Sequence, residues 1–211
     1  MSDVRLRLLR VAHRLYRRGL AVAWDGNVSV RASEETIWIT PAGRNKGELR
    51  IEDLVLVDLE GRVLEGRWRP SSELGMHMVC YRTRPEVGAV VHAHPPYATA
   101  FAVARQEIPT NVLPEMVVRL GSVPLVPYAT PGTWEVAEAL RPWLGRGSRV
   151  FLLANHGVTT LGSTVEEAYY LLEKLEHAAR VLWLARALGG AVPLRQAEEL
   201  RLLQLYGRGD A

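Results

Sequence analysis

Two histidines, His92 and His94, stand one residue apart at the end of the apolar run that opens at Val87, and a third, His156, follows in Leu152-Leu153-Ala154-Asn155-His156-Gly157. Alternate residues of an extended strand point to the same side. A His-x-His pair at a strand end can therefore offer both rings to one cation, and a segment distant in sequence must bring the third. Three protein ligands with one position left open describe a catalytic metal centre rather than a structural one. The competing reading is that His92 and His94 are polar residues closing a strand. Glu73, in Pro70-Ser71-Ser72-Glu73, and two Ser/Gly-rich loops supply further parts of a site.

For these groups to meet, strands must end near His94 and His156, and a helix must open near Glu73. The pattern predicts both. Leu6, Leu9, Ala12, His13 and Tyr16 repeat at helical spacing, and Gly19 ends that helix. Asn27–Arg31 and Thr36–Thr40 read as strands around the turn Ser33-Glu34-Glu35, and Pro41-Ala42-Gly43 breaks the second. Leu54–Leu59 and Gly61–Glu65 form a hairpin. Pro70-Ser71-Ser72-Glu73 starts a helix to about Arg82, with Ser71 or Ser72 as its cap. Gly88–His92 is an apolar strand, Pro96–Ala104 a helix, Val123–Pro127 a short strand and Thr133–Leu140 a helix. Val150–Ala154 is a strand that ends close to His156. Thr164-x-x-Glu167 is a capping box that opens a long helix to about Leu188, and a last helix runs from about Leu194 to Tyr206. Strands with helices on both flanks predict a three-layer α/β/α sandwich. The early hairpins favour a central, mainly antiparallel sheet over a purely parallel one.

The bulk properties exclude several classes. A chain of 211 residues with 48% hydrophobic and 23% charged residues suits one compact domain, taken as 1–211. Net charge is only +3 and the arginines are scattered, so no basic stripe for nucleic acid is present. The single Cys80 excludes an internal disulfide and reads as a buried thiol. The N-terminal segment is amphipathic rather than a signal peptide, and no stretch approaches the roughly 18 apolar residues of a membrane span. The default location is the cytoplasm. Gly43–Gly47 lacks the phosphate-loop pattern, and no Gly-x-Gly-x-x-Gly occurs.

The ordered segments Gly26-Asn27-Val28-Ser29-Val30-Arg31, Ile39-Thr40-Pro41-Ala42-Gly43, Pro70-Ser71-Ser72-Glu73, Val90-Val91-His92-Ala93-His94-Pro95, Pro127-Tyr128-Ala129 with Gly132-Thr133, and Asn155-His156-Gly157 resemble the class II, zinc-dependent sugar-phosphate aldolases. The resemblance spans nearly the whole chain and is strongest to the fuculose-1-phosphate aldolases. It implies an α/β/α sandwich around an antiparallel sheet (the aldolase/adducin-like fold) and a homotetramer with active sites between subunits. It also implies one Zn2+ per subunit, replaceable by Mn2+ or Co2+, held by His92, His94 and His156 with Glu73 at the metal. A small sugar phosphate is the implied partner.

By the same resemblance, Glu73 serves as acid/base, and Asn27, Thr40, Ala42, Gly43, Ser71 and Ser72 bind the phosphate. Tight turns at Gly26-Asn27 and Ala42-Gly43 can turn backbone N–H groups toward an anion, and Ser71-Ser72 precedes a helix N-terminus. Tyr206 matches the late tyrosine that reaches a neighbouring subunit's site and protonates the aldehyde oxygen. Glu115, in a Glu-Met pair, matches the acid/base of the methylthioribulose-phosphate dehydratases, which lack an acid at the Glu73 position. The implied reaction is reversible retro-aldol cleavage of a ketose 1-phosphate to dihydroxyacetone phosphate and an aldehyde. Dehydration, pentulose-phosphate 4-epimerisation and metal-assisted decarboxylation are rivals, as is a non-catalytic adducin-like interaction domain. The only lysines are Lys46 and Lys174, which disfavours Schiff-base aldolase chemistry.

Overall fold

The computed structural model describes residues 3–207. Helix α1 (Val4–Arg17) buries Leu8, Val11, Ala12 and Leu15, a stripe at helical spacing, and Asp3 caps it by accepting the Arg5 amide. Strands β1 (Asn27–Arg31), β2 (Thr36–Ile39), β3 (Val55–Asp58) and β4 (Val63–Glu65) follow as a meander. Then come α2 (Leu74–Thr83), β5 (Ala89–Ala93), α3 (Pro96–Val103), β6 (Leu125–Val126), α4 (Trp134–Leu144), β7 (Val150–Leu153), β8 (Gly157–Gly162), α5 (Val165–Ala185) and α6 (Gln196–Tyr206). The eight strands form one sheet in the order β4-β3-β2-β1-β5-β8-β7-β6. Every pairing is antiparallel except β6 with β7.

Two apolar layers flank the sheet. Val28 and Val30 of β1 and Ala89, Val91 and Ala93 of β5 pack under α1, α3 and α5. Ile37, Ile39, Val55, Val57, Val90, Phe151 and Leu153 pack under α2 and α4. The expected α/β/α sandwich is therefore the observed fold. β5 is buried on both faces, which is why it reads as a continuous apolar run rather than an alternating one. Each Val or Leu buried in these layers contributes about 1.5–3 kcal/mol.

Three differences from the sequence expectation stand out. Strand β8 was not expected. It begins directly after His156, is bounded by Gly157 and Gly162, and carries Thr159 and Thr160, whose buried hydroxyls donate to the Met76 sulfur of α2 and the Ala168 carbonyl of α5. The long helix ends at Ala185, and a 3-10 turn, Arg186–Leu188, follows it. Met116–Leu120 forms a π-helical turn. The capping box at Thr164 is present, its hydroxyl accepting the Glu167 amide at 3.2 Å. No helix among the described residues is long and apolar enough to cross a membrane.

The segment that delivers Ser71, Ser72 and Glu73 is tied down from behind. Asp53 is buried and accepts from Arg67, the Trp68 indole and the Arg50 amide. Arg69 then accepts the Ala42 amide, and Pro70 bridges to Pro41. Burial pushes the Asp53 carboxyl up, but these donors and the Arg67 charge outweigh it and hold it at about 2, below its ordinary 3.8. A depressed carboxyl stabilises the fold above its unfolded pKa and loses that contribution as pH falls through the folded value. Asp53→Asn is therefore expected to cost about 2 kcal/mol near neutral pH. In urea melts at stepped pH, the gap to wild type should close as pH falls from 3.8 toward about 2.

Candidate active site

His92 closes the α2 side of β5, and the strand register places it between Asn27 of β1 and Thr159 of β8. Its Nδ1 lies 3.0 Å from the Val158 carbonyl oxygen and 3.1 Å from the Thr159 hydroxyl. A carbonyl only accepts, so Nδ1 carries the proton and Nε2 offers a lone pair. That Nε2 lies 3.1 Å from His94 Nε2 and 3.1 Å from Glu73 Oε2. His156 Nε2 lies 3.2 Å from Glu73 Oε1. One nitrogen from each of the three rings falls within 4.8 Å of the others.

The backbone around the cluster explains two local residue choices. Asn155 adopts a left-handed φ of 55° at the β7–β8 turn and so aims His156 back over the sheet. Gly157 lies against His94: a Cβ there would sit 2.6 Å from the His94 ring and from the Ala93 carbonyl oxygen. Glu73 is the N-cap of α2, but its carboxylate makes no capping bond and is left free to face the histidines. Ser71 does that local work instead, its hydroxyl accepting the Glu73 amide at 3.2 Å.

Electrostatics prepare the rings as ligands. Burial, then repulsion from the neighbouring imidazoles, lowers both His94 and His156 to about 4, so both are neutral at physiological pH. Burial would raise the Glu73 carboxyl. Its close contacts with the His92 and His156 rings and the Asn27 amide outweigh that and hold it well below the usual carboxylate range. The result is a buried set of lone pairs with few donors. Glu73 Oε1 is buried and has no hydrogen-bond partner among the described residues. Two imidazole nitrogens 3.1 Å apart are close to the roughly 3.3 Å ligand spacing of a tetrahedral site with 2.0–2.1 Å bonds. The donor set thus fits a divalent cation, with His92, His94 and His156 able to hold it and Glu73 beside it.

The cluster opens into a cleft of about 350 Å3. Asn27, Ala42, Gly43, Ser71 and Ser72 line it, as the sequence led us to expect. Thr40 does not. It is fully buried behind the wall, with its hydroxyl accepting the Val28 amide. The Ala42 amide is spent on Arg69. Glu115 and Tyr206 are both exposed, Tyr206 on α6, and neither lines this cleft. Trp24 stands at the rim, whereas Trp68 packs in the core and Trp134 lies against Gly75. Cys80 is buried, and burial pushes its thiol up to about 12, so it is inert at neutral pH.

The profile of the class II aldolase and adducin N-terminal domain matches residues 6–183. The chain belongs to the class II aldolase family. It is 39% identical over 173 residues to the L-fuculose phosphate aldolase of Methanococcus vannielii, covering 82% of this chain and 92% of that protein. It is 36% identical over 180 residues to the 3-oxo-tetronate 4-phosphate decarboxylase of Haemophilus influenzae, covering 83% of this chain and 85% of that one. A solved L-fuculose 1-phosphate aldolase superposes with a TM-score of 0.89 at 33% identity, covering 98% of this chain and 97% of its own. The histidine cluster in this fold makes the protein an enzyme with metal-dependent, lyase-type chemistry.

Three residues in or behind the site were missed in the sequence. Asp25 Oδ2 stands 3.7 Å from His94 Nδ1, the far side of a ligand ring. Nothing marks an aspartate before a glycine as such a residue. Lys46 is buried and donates to the carbonyls of Trp24 and Arg44, tying together two walls of the cleft. Burial lowers it to about 8, against the pull of Asp25. His77 lies one helical turn after Glu73, an i,i+4 spacing that could have flagged it.

Protein purified from chelator-free buffer is expected to carry one divalent cation per chain by elemental analysis. His156→Ala should abolish that occupancy. Asp25→Asn should weaken binding by about 10- to 100-fold in a competitive chelator titration, as expected when the outer partner of a ligand imidazole is lost. Unchanged affinity in both variants would remove the metal assignment.

Proposed function

We propose that the protein is a zinc-dependent aldolase that cleaves a ketose 1-phosphate of the L-fuculose 1-phosphate type. The products are dihydroxyacetone phosphate and a short aldehyde, and the reaction is reversible. The observation that carries this reading is Glu73: a buried carboxylate, one oxygen held by Asn27 and the other unpartnered, beside three converging imidazoles at the end of a polar cleft. The similarity to proteins named as fuculose phosphate aldolases supports the substrate class.

In this reading a cation on His92, His94 and His156 supplies Lewis-acid stabilisation of negative charge on the substrate oxygens. The cleft residues Asn27, Gly43, Ser71 and Ser72 hold the phosphate, and Ser71-Ser72 contribute the helix-entry dipole. Cleavage removes the proton of the C4 hydroxyl, breaks C3–C4 and leaves that electron pair on C3, next to the carbonyl. The C4 hydroxyl proton leaves to water on the aldehyde side, and Glu73 takes up a proton from water and passes it to C3; in the condensation direction it takes that proton away. Tyr206, exposed on α6, serves the aldehyde oxygen in the cleft of a neighbouring copy within a homotetramer.

A second reading has its own support: the similarity to a 3-oxo-tetronate 4-phosphate decarboxylase is nearly as strong. Dehydration through Glu115 has less, since that residue lies outside its own chain's cleft. Zinc-loaded enzyme should release dihydroxyacetone phosphate from L-fuculose 1-phosphate in a coupled assay. Carbon dioxide from 3-oxo-tetronate 4-phosphate, with no cleavage of the ketose phosphate, would replace the aldolase by the decarboxylase. Glu73→Gln should lower kcat by about 10^2- to 10^4-fold while leaving the protein folded.

A further inference from the structure

Behind Glu73, on the α2 side of the sheet, lies a line of polar groups that the proposed reaction does not use. Asn27 Nδ2 donates to Glu73 Oε2 at 2.9 Å. Asn27 Oδ1 lies 2.5 Å from His77 Nε2. His77 Nδ1 lies 2.6 Å from the Ser29 hydroxyl, which lies 2.8 Å from the Tyr81 hydroxyl. Ser29 and His77 are fully buried, and Tyr81 is 1% exposed. Buried polar groups far from water must satisfy each other, and here they do so in single file.

The charge on Glu73 sets the direction of every proton in the line. An ionised carboxylate only accepts, so the Asn27 amide nitrogen must face it, and the Asn27 carbonyl oxygen must face His77. That oxygen accepts, so His77 Nε2 carries the ring proton. Burial lowers His77 to about 3, which keeps the ring neutral. Nδ1 is then an acceptor and takes the Ser29 hydroxyl proton. Ser29 in turn accepts from Tyr81, whose hydroxyl burial holds above its ordinary pKa and hence protonated. Reversing any link would put the Asn27 oxygen against the Glu73 oxygen.

We propose that Tyr81, Ser29 and His77 form a one-way hydrogen-bond chain that fixes the Asn27 amide and, through it, the position of the Glu73 carboxylate. His77 and Tyr81 are thus positioning residues. The chain holds Oε2 and leaves Oε1 free for the cleft. It also commits one proton of the Asn27 amide to Glu73 and leaves the second for the cleft that Asn27 lines. Donors aligned head to tail polarise one another, so the far hydroxyl strengthens the last bond.

The catalytic consequence rests on the reading of Glu73 as the proton-moving group, but the chain has a readout of its own. In metal-loaded protein labelled with 15N-histidine, His77 should show the neutral Nε2–H tautomer at neutral pH. An Nδ1–H or doubly protonated ring would overturn the chain. His77→Phe should lower kcat by about 10- to 100-fold, the effect when the freed Asn27 amide no longer holds its bond to the charged Glu73, with KM within about 3-fold. His77→Gln keeps a donor toward Asn27 and should recover most of that loss. Tyr81→Phe, which keeps the ring and the packing, should lower kcat a few fold. Equal kcat in all three variants and wild type would overturn positioning. If wild-type enzyme turns over neither sugar phosphate, the reaction reading falls, and the His77 tautomer still decides the chain.

Discussion

The structure is organised around a concentration of lone pairs that the chain itself does not neutralise. Three imidazole nitrogens and a carboxylate converge at the end of the central strands, and among the described residues the Asn27 amide is the one side-chain donor, apart from the histidines themselves, that answers the carboxylate. A buried acceptor without a donor costs about 1–3 kcal/mol, and a charged one more. Among the described residues Glu73 Oε1 is such an acceptor, and a cation held by the three imidazoles would answer it. The fold holds them there by rigid means. His92 sits on the most buried strand of the sheet, its outer nitrogen pinned by β8. His94 and His156 are aimed by backbone that only glycine or a left-handed asparagine allows.

That constraint also explains the polar seam in an otherwise apolar layer. Strands β1, β5 and β8 bring Asn27, His92 and Thr159 into one row. Apart from Ser29, the strand residues packed on that face are mainly Ile, Val, Leu and Phe. Once a carboxylate is ionised in such a place, each group behind it needs a partner of definite polarity. The need runs outward through Asn27, His77 and Ser29 until it reaches a hydroxyl, Tyr81, that can end the line. The same logic accounts for Asp53, whose three donors hold the chain leading to the Ser-Ser-Glu segment.

What was legible in the sequence follows from how local each signal is. The His-x-His pair ends a strand whose unbroken apolar run announces burial on both faces, and Thr164 announces its helix through a capping box. Those signals depend on neighbours in the chain. Strand β8 was missed because Gly157-Val158-Thr159-Thr160-Leu161-Gly162 has glycines at both ends and two threonines whose burial is set by other strands. Asp25, Lys46 and His77 were missed for the same reason. Their partners lie in other segments, and only His77 left a trace, at one helical turn from Glu73.

The remaining choice between aldol cleavage and decarboxylation is smaller than the two names imply. Each breaks a carbon–carbon bond next to a carbonyl and leaves the electron pair on the carbon beside it. In the proposed reading, charge stabilisation at the histidine cluster and proton transfer through Glu73 would serve both. The reactions part at the fragment that leaves. An aldehyde forms only if a hydroxyl proton is removed, whereas carbon dioxide leaves from a carboxylate that is already ionised. The discriminating group must therefore stand on the far side of the cleft from Glu73. Within one chain Trp24, Pro131 and Gly132 line the cleft, and Tyr206 lies on a helix outside it. In the proposed reading the group that takes the hydroxyl proton sets the reaction, and the buried half of the site suits either outcome.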